Sequence, residues 1–396
     1  MIRRVLQFLA ISACFTSATA FCAGLDQYLG RWNIYIFESG DTFPSAWLKV
    51  EKTAEGPKAW MVWKWGSVVP VDEIKVDKRE LLLRRRRLTF RIRKVGGEIL
   101  GVARPSSGKR RARYFVGRPA PELCDPVGTW LIADPEDPAR MGKLLVVKKG
   151  KRLTGKGFDP DGRIYKVQKM ELKRDQLLIR CLDPEGRAVF AKALIKGDRM
   201  DLTVKGGSFG KALRLKATRK REWGKPIRLF DGKTLQGWRP RDARRRFGWH
   251  VEDSSFTNTP PDVDIVSERK FRDFKLHLEY KVNAGSNSGC YLRGRYELQI
   301  LGDPSVQPHG NMAVYSRLAP KKNPMRPMGQ WQSLDVTLIG RYVTVVLNGV
   351  VVHDNAYLEG ITGGALDPWE GEPGPLLLQG DHGKVWFRNV IVTPAK

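Results

Sequence analysis

Apolar residues in this chain recur at every second position, in short runs broken by Gly, Pro, Asn and Asp. "AWMVWKW" at 59–65, "RLTFRIRKV" at 87–95 and "YVTVVLNGVVVHD" at 342–354 all read this way. A period of two is the strand period, because successive side chains in extended backbone point to opposite faces. No long stretch carries the three-to-four spacing of an amphipathic helix. The chain is therefore expected to be all-β. Asn348-Gly349, between two such runs, is a two-residue hairpin signal.

With 396 residues the chain has material for two or three cores. Its start reads as an export signal. Arg3 and Arg4 precede the apolar "VLQFLAIS", and "SATA" ends in an Ala-x-Ala pattern, so cleavage is expected after Ala20. The apolar run is too short to span a bilayer, and no later segment does better. "ISAC" ending at Cys14 offers a second reading, a lipoprotein box. Either way the expected location is secreted or periplasmic. After cleavage, Cys22, Cys124, Cys181 and Cys290 remain, far apart and without a CxxC pair, which argues against a metal knuckle.

Charge divides the chain. Residues 21–224 hold 45 Lys and Arg against 24 Asp and Glu, whereas residues 225–396 hold 23 against 18. All five histidines fall in the second part. The basic part itself reads as a repeat. "YLGRWNIYI" at 28–36 resembles "PVGTWLIAD" at 126–134, "LKVEK" at 48–52 resembles "LVVKK" at 145–149, and "ELLLRR" at 80–85 resembles "QLLIRC" at 176–181. The expected organisation is a signal peptide over 1–20, basic β-modules over 21–122 and 123–222, and a third domain over 226–396. Each module is expected to be a small antiparallel barrel or sandwich, with the Gly-x-Trp tryptophan in its core. "RKREWGKP" at 219–226 reads as the linker. The β-rich remainder is expected to form a two-sheet sandwich.

Four ordered motifs in that third domain resemble the 3-keto-disaccharide hydrolase family: "LFDGKTLQGW" at 229–238, "NSGCYLRGRYELQIL" at 287–301, "GQWQSLDVTLIGRYVTVVLNG" at 329–349 and "GPLLLQGDHGKVWFRNVIV" at 374–392. The resemblance covers about residues 226–394. It implies a concanavalin/laminin-G-like jelly roll and an exported hydrolase or lyase. The implied reaction is cleavage of glycosidic bonds in glycosides and disaccharides whose 3-hydroxyl has become a ketone.

The residues themselves give a compatible picture. In "GSNSGCYLRGRYELQI" at 285–300, Cys290, Leu292, Gly294, Tyr296, Leu298 and Ile300 fall on one face of a strand. Tyr291, Arg293, Arg295, Glu297 and Gln299 fall on the other. Sugars need many hydrogen bonds from rigidly held side chains, and aromatic surfaces for their CH faces. Tyr291, Gln299, Gln379, Glu279, Asp381 and Trp331 are the candidates for binding. A 3-keto sugar has an acidified proton at C2. Removing it and expelling the C1 oxygen requires a base, an acid and a cation for the C3 oxyanion. Glu297 and His382 are the acid–base candidates, with Arg293 and Arg295 for the oxyanion. Ordinary two-carboxylate hydrolysis would instead pair Glu279 with Glu297. No organic cofactor is implied, and a divalent ion on Asp381 and Glu279 stays open.

Bland readings stand beside these. Glu297 and Arg295 could form a cross-strand ion pair. A non-catalytic, lectin-like module binding glycan on the same face is the alternative function. The arginines of "LLLRRRRLTFRIRK" at 81–94 suit a polyanion. Export argues against nucleic acid there and for an anionic polysaccharide or cell surface bound through residues 21–222.

Overall fold

A computed structural model describes residues 24–37, 45–77, 80–106, 111–137 and 139–396. The export signal, Cys14 and Cys22 lie outside the described residues. The protein is all-β, with one short 3-10 turn at Leu25–Tyr28 and no α-helix among the described residues. No described helix is long and apolar enough to cross a membrane.

The first unit is one nine-stranded antiparallel sheet rolled on itself. Its first strand, Gly30–Phe37, pairs with both Ser45–Thr53 and the last strand, Arg113–Pro119. The second unit is a closed eight-stranded barrel in which Gly128–Ala133 pairs with Phe209–Lys220. The sequence repeat is visible at atomic detail. Trp32 Nε1 donates to the Tyr28 carbonyl at 2.8 Å, and Trp130 Nε1 donates to the Pro126 carbonyl at 2.9 Å. Both indoles are buried at the start of their first strand. The arginine-rich stretch at 81–94 is less free than its composition suggests. Arg91 and Arg93 share Glu80, Arg84 pairs with Glu73, and Arg85 is buried.

The linker is shorter than the sequence indicates, because the barrel's last strand runs through Lys220. Trp223 then bridges to Ala395, tying the barrel exit to the C-terminus. The third unit is a sandwich. One sheet runs through His250–Glu252, Ser255–Thr257, Val385–Pro394, Phe274–Val282, Gln332–Ile339, Tyr342–Leu347 and Val350–Tyr357. The other holds Trp238–Pro240, Ile265–Phe271, Gly374–Leu378, Asn287–Leu292 and Tyr296–Leu301. Leu276, Leu278, Tyr280 and Phe387 of the first sheet meet Cys290, Leu298, Ile300 and Leu378 of the second across one core. Asn348 and Gly349, at φ 50° and 79°, make the expected hairpin turn.

The expected single strand over 289–300 is corrected to a hairpin. Arg293 and Gly294 take φ 55° and 65° and reverse the chain. The parity read from the sequence survives the reversal. The loop between paired Leu292 and Tyr296 has an odd number of residues, so Tyr291 still faces the same way as its partner Glu297, and Gly289 as Gln299.

Candidate active site

The five-stranded sheet buries its even-numbered hairpin residues in the sandwich core, so the odd ones face outward. That outer face is not open to water. Val266, Tyr291, Leu377 and Leu366 form a small apolar patch beneath the segment leading into Gly374–Leu378. Glu297 lies beside it and is 3% exposed. The space for its carboxyl comes from Gly289, where an added Cβ would stand 2.6 Å from Glu297 Oε1.

Burial pushes Glu297 up to about 8, and the carboxylates of Asp264 and Asp381 push the same way. A hydrogen-bond detail agrees with a proton on this group. Tyr291 Oη lies 2.8 Å from Glu297 Oε2 and 3.0 Å from the Gly363 carbonyl oxygen. One phenol hydrogen serves two acceptors only as a weaker, bifurcated bond. With Glu297 protonated, its hydroxyl donates to Tyr291, and Tyr291 donates to Gly363. Burial also raises Tyr291 well above the ordinary phenol range.

Beside this pair lies a buried charge cluster. Arg241 Nη1 donates to Asp264 Oδ2 at 2.8 Å. Asp264 Oδ1 accepts from the Gly380 amide at 3.1 Å. Burial raises Asp264 and lowers Arg241, each opposed by the charge of the other. The turn after Gly374–Leu378 carries Asp381 and His382, whose Nδ1 faces Asp381 Oδ1. Asn258 fixes that turn by donating to the carbonyls of Gly380 and Gly383. The His382 side chain is half exposed. Two buried amide oxygens, Gln299 Oε1 and Gln379 Oε1, have no hydrogen-bond partner among the described residues.

One wall comes from the first unit. Its turn after Gly56–Trp63 reaches across to the sandwich. The Gly364 amide donates to the Lys64 carbonyl at 3.0 Å, and Ser67 Oγ lies 3.0 Å from His309 Nε2. Trp65 sits over the Arg241 guanidinium, 5.6 Å from ring centroid to Cζ, and is 49% exposed. A Cβ on Gly364 would lie 2.7 Å from Tyr291 Oη and 3.5 Å from Trp65 Cζ3, which places the indole against the Tyr291–Glu297 pair. Tyr315 packs edge-on to His309, with ring centroids 5.1 Å apart, and burial raises its phenol.

Of the residues expected at the site, the structure gathers Tyr291, Glu297, Gln299, Gln379, Asp381 and His382 around this face. It does not bring the others. Arg293 is buried over the Tyr296 ring and donates to the Gly340 carbonyl. Arg295 is held by Asp367, 2.7 Å from Nε to Oδ1, and by the Glu372 carbonyl. Neither guanidinium is left for an oxyanion here, and Arg295 does not pair with Glu297. Glu279 belongs to the other sheet, and Trp331 stands just ahead of its strand Gln332–Ile339. Glu279 pairs with Arg388, and Arg388 in turn covers the Trp331 ring at 4.0 Å. The pairing of Glu279 with Glu297 is therefore corrected, since the two carboxyls sit on opposite sheets. Among the described residues, no group of three or more His, Cys, Asp or Glu could hold a metal ion. Asp264, Arg241 and Trp65 were not expected. Arg241 hides in the arginine-rich "WRPRDARRR" at 238–246, and Trp65 lies in another unit.

Residues 225–393 match the family described as the 3-keto-alpha-glucoside-1,2-lyase-like domain. A curated 3-keto-disaccharide hydrolase of Bacteroides thetaiotaomicron is 33% identical over 75 residues, 16% of this chain. The match spans about a quarter (26%) of that relative's length. Among solved structures, a putative glycosyl hydrolase from Parabacteroides distasonis is 30% identical, covering 42% of this chain and 82% of its own, with a TM-score of 0.38. A second from the same organism is 22% identical, covering 43% and 94%, at 0.35.

Proposed function

Taking residues 225–393 as a domain of the 3-keto-alpha-glucoside-1,2-lyase-like family, we propose that the protein is an exported carbohydrate-active enzyme that cleaves glycosidic bonds of 3-keto sugars. The observation that carries this reading is Glu297, a carboxyl kept protonated by burial, beside two buried amide oxygens that lack partners. A neutral carboxyl near physiological pH is a general acid. On this reading Glu297 gives its proton to the glycosidic oxygen leaving C1. His382, with Nδ1 turned to Asp381, has Nε2 to take the proton from C2. Arg241, whose charge acts on Glu297, offsets charge on the C3 oxygen. Water then adds its hydroxyl at C1 and gives its proton back to Glu297, and His382 returns its proton to C2. Gln299 and Gln379 accept hydrogen bonds from sugar hydroxyls, and Trp65 offers a ring face to the sugar.

The test is a pair of chromogenic substrates, 4-nitrophenyl 3-keto-α-glucoside and its unoxidised parent. The expected result is release of nitrophenol from the keto compound alone. Glu297→Gln should lower kcat by about 10²- to 10⁴-fold, the range for losing a positioned acid. Equal cleavage of both substrates would remove the keto requirement, and a full rate in the variant would remove the role of Glu297.

One observation favours a second reading, glycan binding without turnover. Glu297 is 3% exposed, so a sugar meets Trp65 and His382 before it meets the acid. Saturable binding of a 3-keto-glucoside with no product, unchanged in Glu297→Gln, would establish that reading instead.

A further inference from the structure

The two basic units share the Gly-x-Trp start but differ in their interiors. In the first, Trp63, Phe90 and Phe115 meet edge-on at centroid separations of 5.0 to 6.3 Å and fill the middle of the roll. Ile34, Ile36, Leu48 and Met61 around them are fully buried. The second barrel has no aromatic cluster of that kind. Its inward positions carry Leu144, Val167, Ile179, Ala191, Leu202 and Leu213, and they surround a cavity of about 530 Å³. Several of these side chains keep measurable exposure although they point into a closed barrel.

The cavity is a cup. One end of the barrel is sealed by Trp130, which is fully buried, with the Arg219 guanidinium 4.5 Å from its ring centroid. The other end opens between residues 134–136, Arg140, and the turns at 159–163 and 207–208. Tyr165 and Phe209 line the upper wall. Two ion pairs stand at the mouth, Arg140 with Asp161 and Arg163 with Asp159. The thiol of Cys181, which also lines the cup, is pushed up to about 11 by burial and so stays neutral.

We propose that the barrel at 128–220 is a binding site for one long-chain acyl molecule, its hydrocarbon tail in the cup and its polar head at the open end. An eight-stranded barrel is the size at which an interior either fills with side chains or holds one small ligand. The closed eight-stranded unit of this chain takes the second course, with a cavity inside it. The volume lies within the range of small-molecule sites. The lining decides the ligand class. It is mainly aliphatic, with Phe158, Tyr165 and Phe209 on the wall, so ring heteroatoms or hydroxyls held against the aliphatic part would be buried without partners at a cost of a few kcal/mol. A hydrocarbon chain has no such groups to strand.

The probe is 11-(dansylamino)undecanoic acid, titrated into the full chain. The expected result is a saturable rise in dansyl fluorescence at one equivalent, reversed by hexadecanoic acid. Ala191→Phe and Val167→Phe each put a ring into the cup. Each variant that keeps the wild-type unfolding temperature should bind roughly tenfold more weakly or worse. Absence of saturable binding to the wild-type chain would overturn the proposal. So would undiminished binding in a folded filling variant, which would place the probe elsewhere. Cleavage of sugar substrates is read separately and has no bearing on either outcome.

Discussion

Glu297 sets two pH expectations of opposite reach. Its folded-state value is raised to about 8 from 4.5, so the folded protein holds this proton more tightly than the unfolded chain. The stability it permits is complete below pH 4.5 and falls as pH rises towards 8. Glu297→Gln should flatten that fall, seen as a smaller loss of urea-midpoint stability between pH 5 and about 8 than in the wild type. Parallel curves for the two proteins would show that the carboxyl is not held neutral. The same value predicts that the glycosidase rate drops on the alkaline side of about pH 8, where the acid form is lost. Gly289→Ala should damage the site without touching its chemistry, because the new methyl would press on Glu297 Oε1. Overpacking of this kind costs about 1–3 kcal/mol. Alternation in the sequence was enough to put Tyr291, Glu297 and Gln299 on one face. It could not say where a long side chain ends. Arg293 and Arg295 share that parity, yet at the hairpin turn their guanidinium groups swing to Gly340 and Asp367.

At the scale of elements, the turn from Lys64 to Val68 is the piece that no local pattern could assign to the site. Its strand, Gly56–Trp63, belongs to a different sheet from every other residue of the cluster. The half-exposed Trp65 ring is the aromatic surface that this turn adds. Trp65→Ala should raise KM for the 3-keto-glucoside about three- to tenfold while changing kcat less, the scale of one lost aromatic contact. An unchanged KM would make the indole a cover for Arg241 and nothing more. The all-β class, the Asn348 hairpin and the two Gly-x-Trp repeats were legible because each rests on neighbours in sequence. The reversal at Arg293-Gly294 was not, because the alternation runs through it without a break. The cup in the second barrel and the filled roll of the first also look alike in sequence, since both alternate. The difference lies in side-chain volume at matched inward positions.

Across the whole molecule, the first unit and the sandwich are fastened by one buried carboxylate. Glu370 is fully buried and receives Arg31 at 2.6 Å, Arg341 at 3.2 Å and the Tyr296 hydroxyl at 2.7 Å. Burial alone would raise it, yet Arg31 and Arg341 hold it well below the carboxylate range. Glu370→Ala leaves two guanidinium groups without their anion and should cost about 3–5 kcal/mol in denaturant titration. A loss under about 1 kcal/mol would mean that water reaches the junction. The same junction covers Trp47, which is fully buried although its strand turns it outward from the roll. Its indole donates to the Ile361 carbonyl, 314 positions later in the chain. During synthesis, at about 5–20 residues per second, the first unit must wait on the order of half a minute for the segment that shields this tryptophan. Until then it presents Trp47 and Val62 to whatever surrounds it. The N-terminal half is thus an incomplete product with a sticky side, and a chain that stops before residue 225 should self-associate where the finished chain does not.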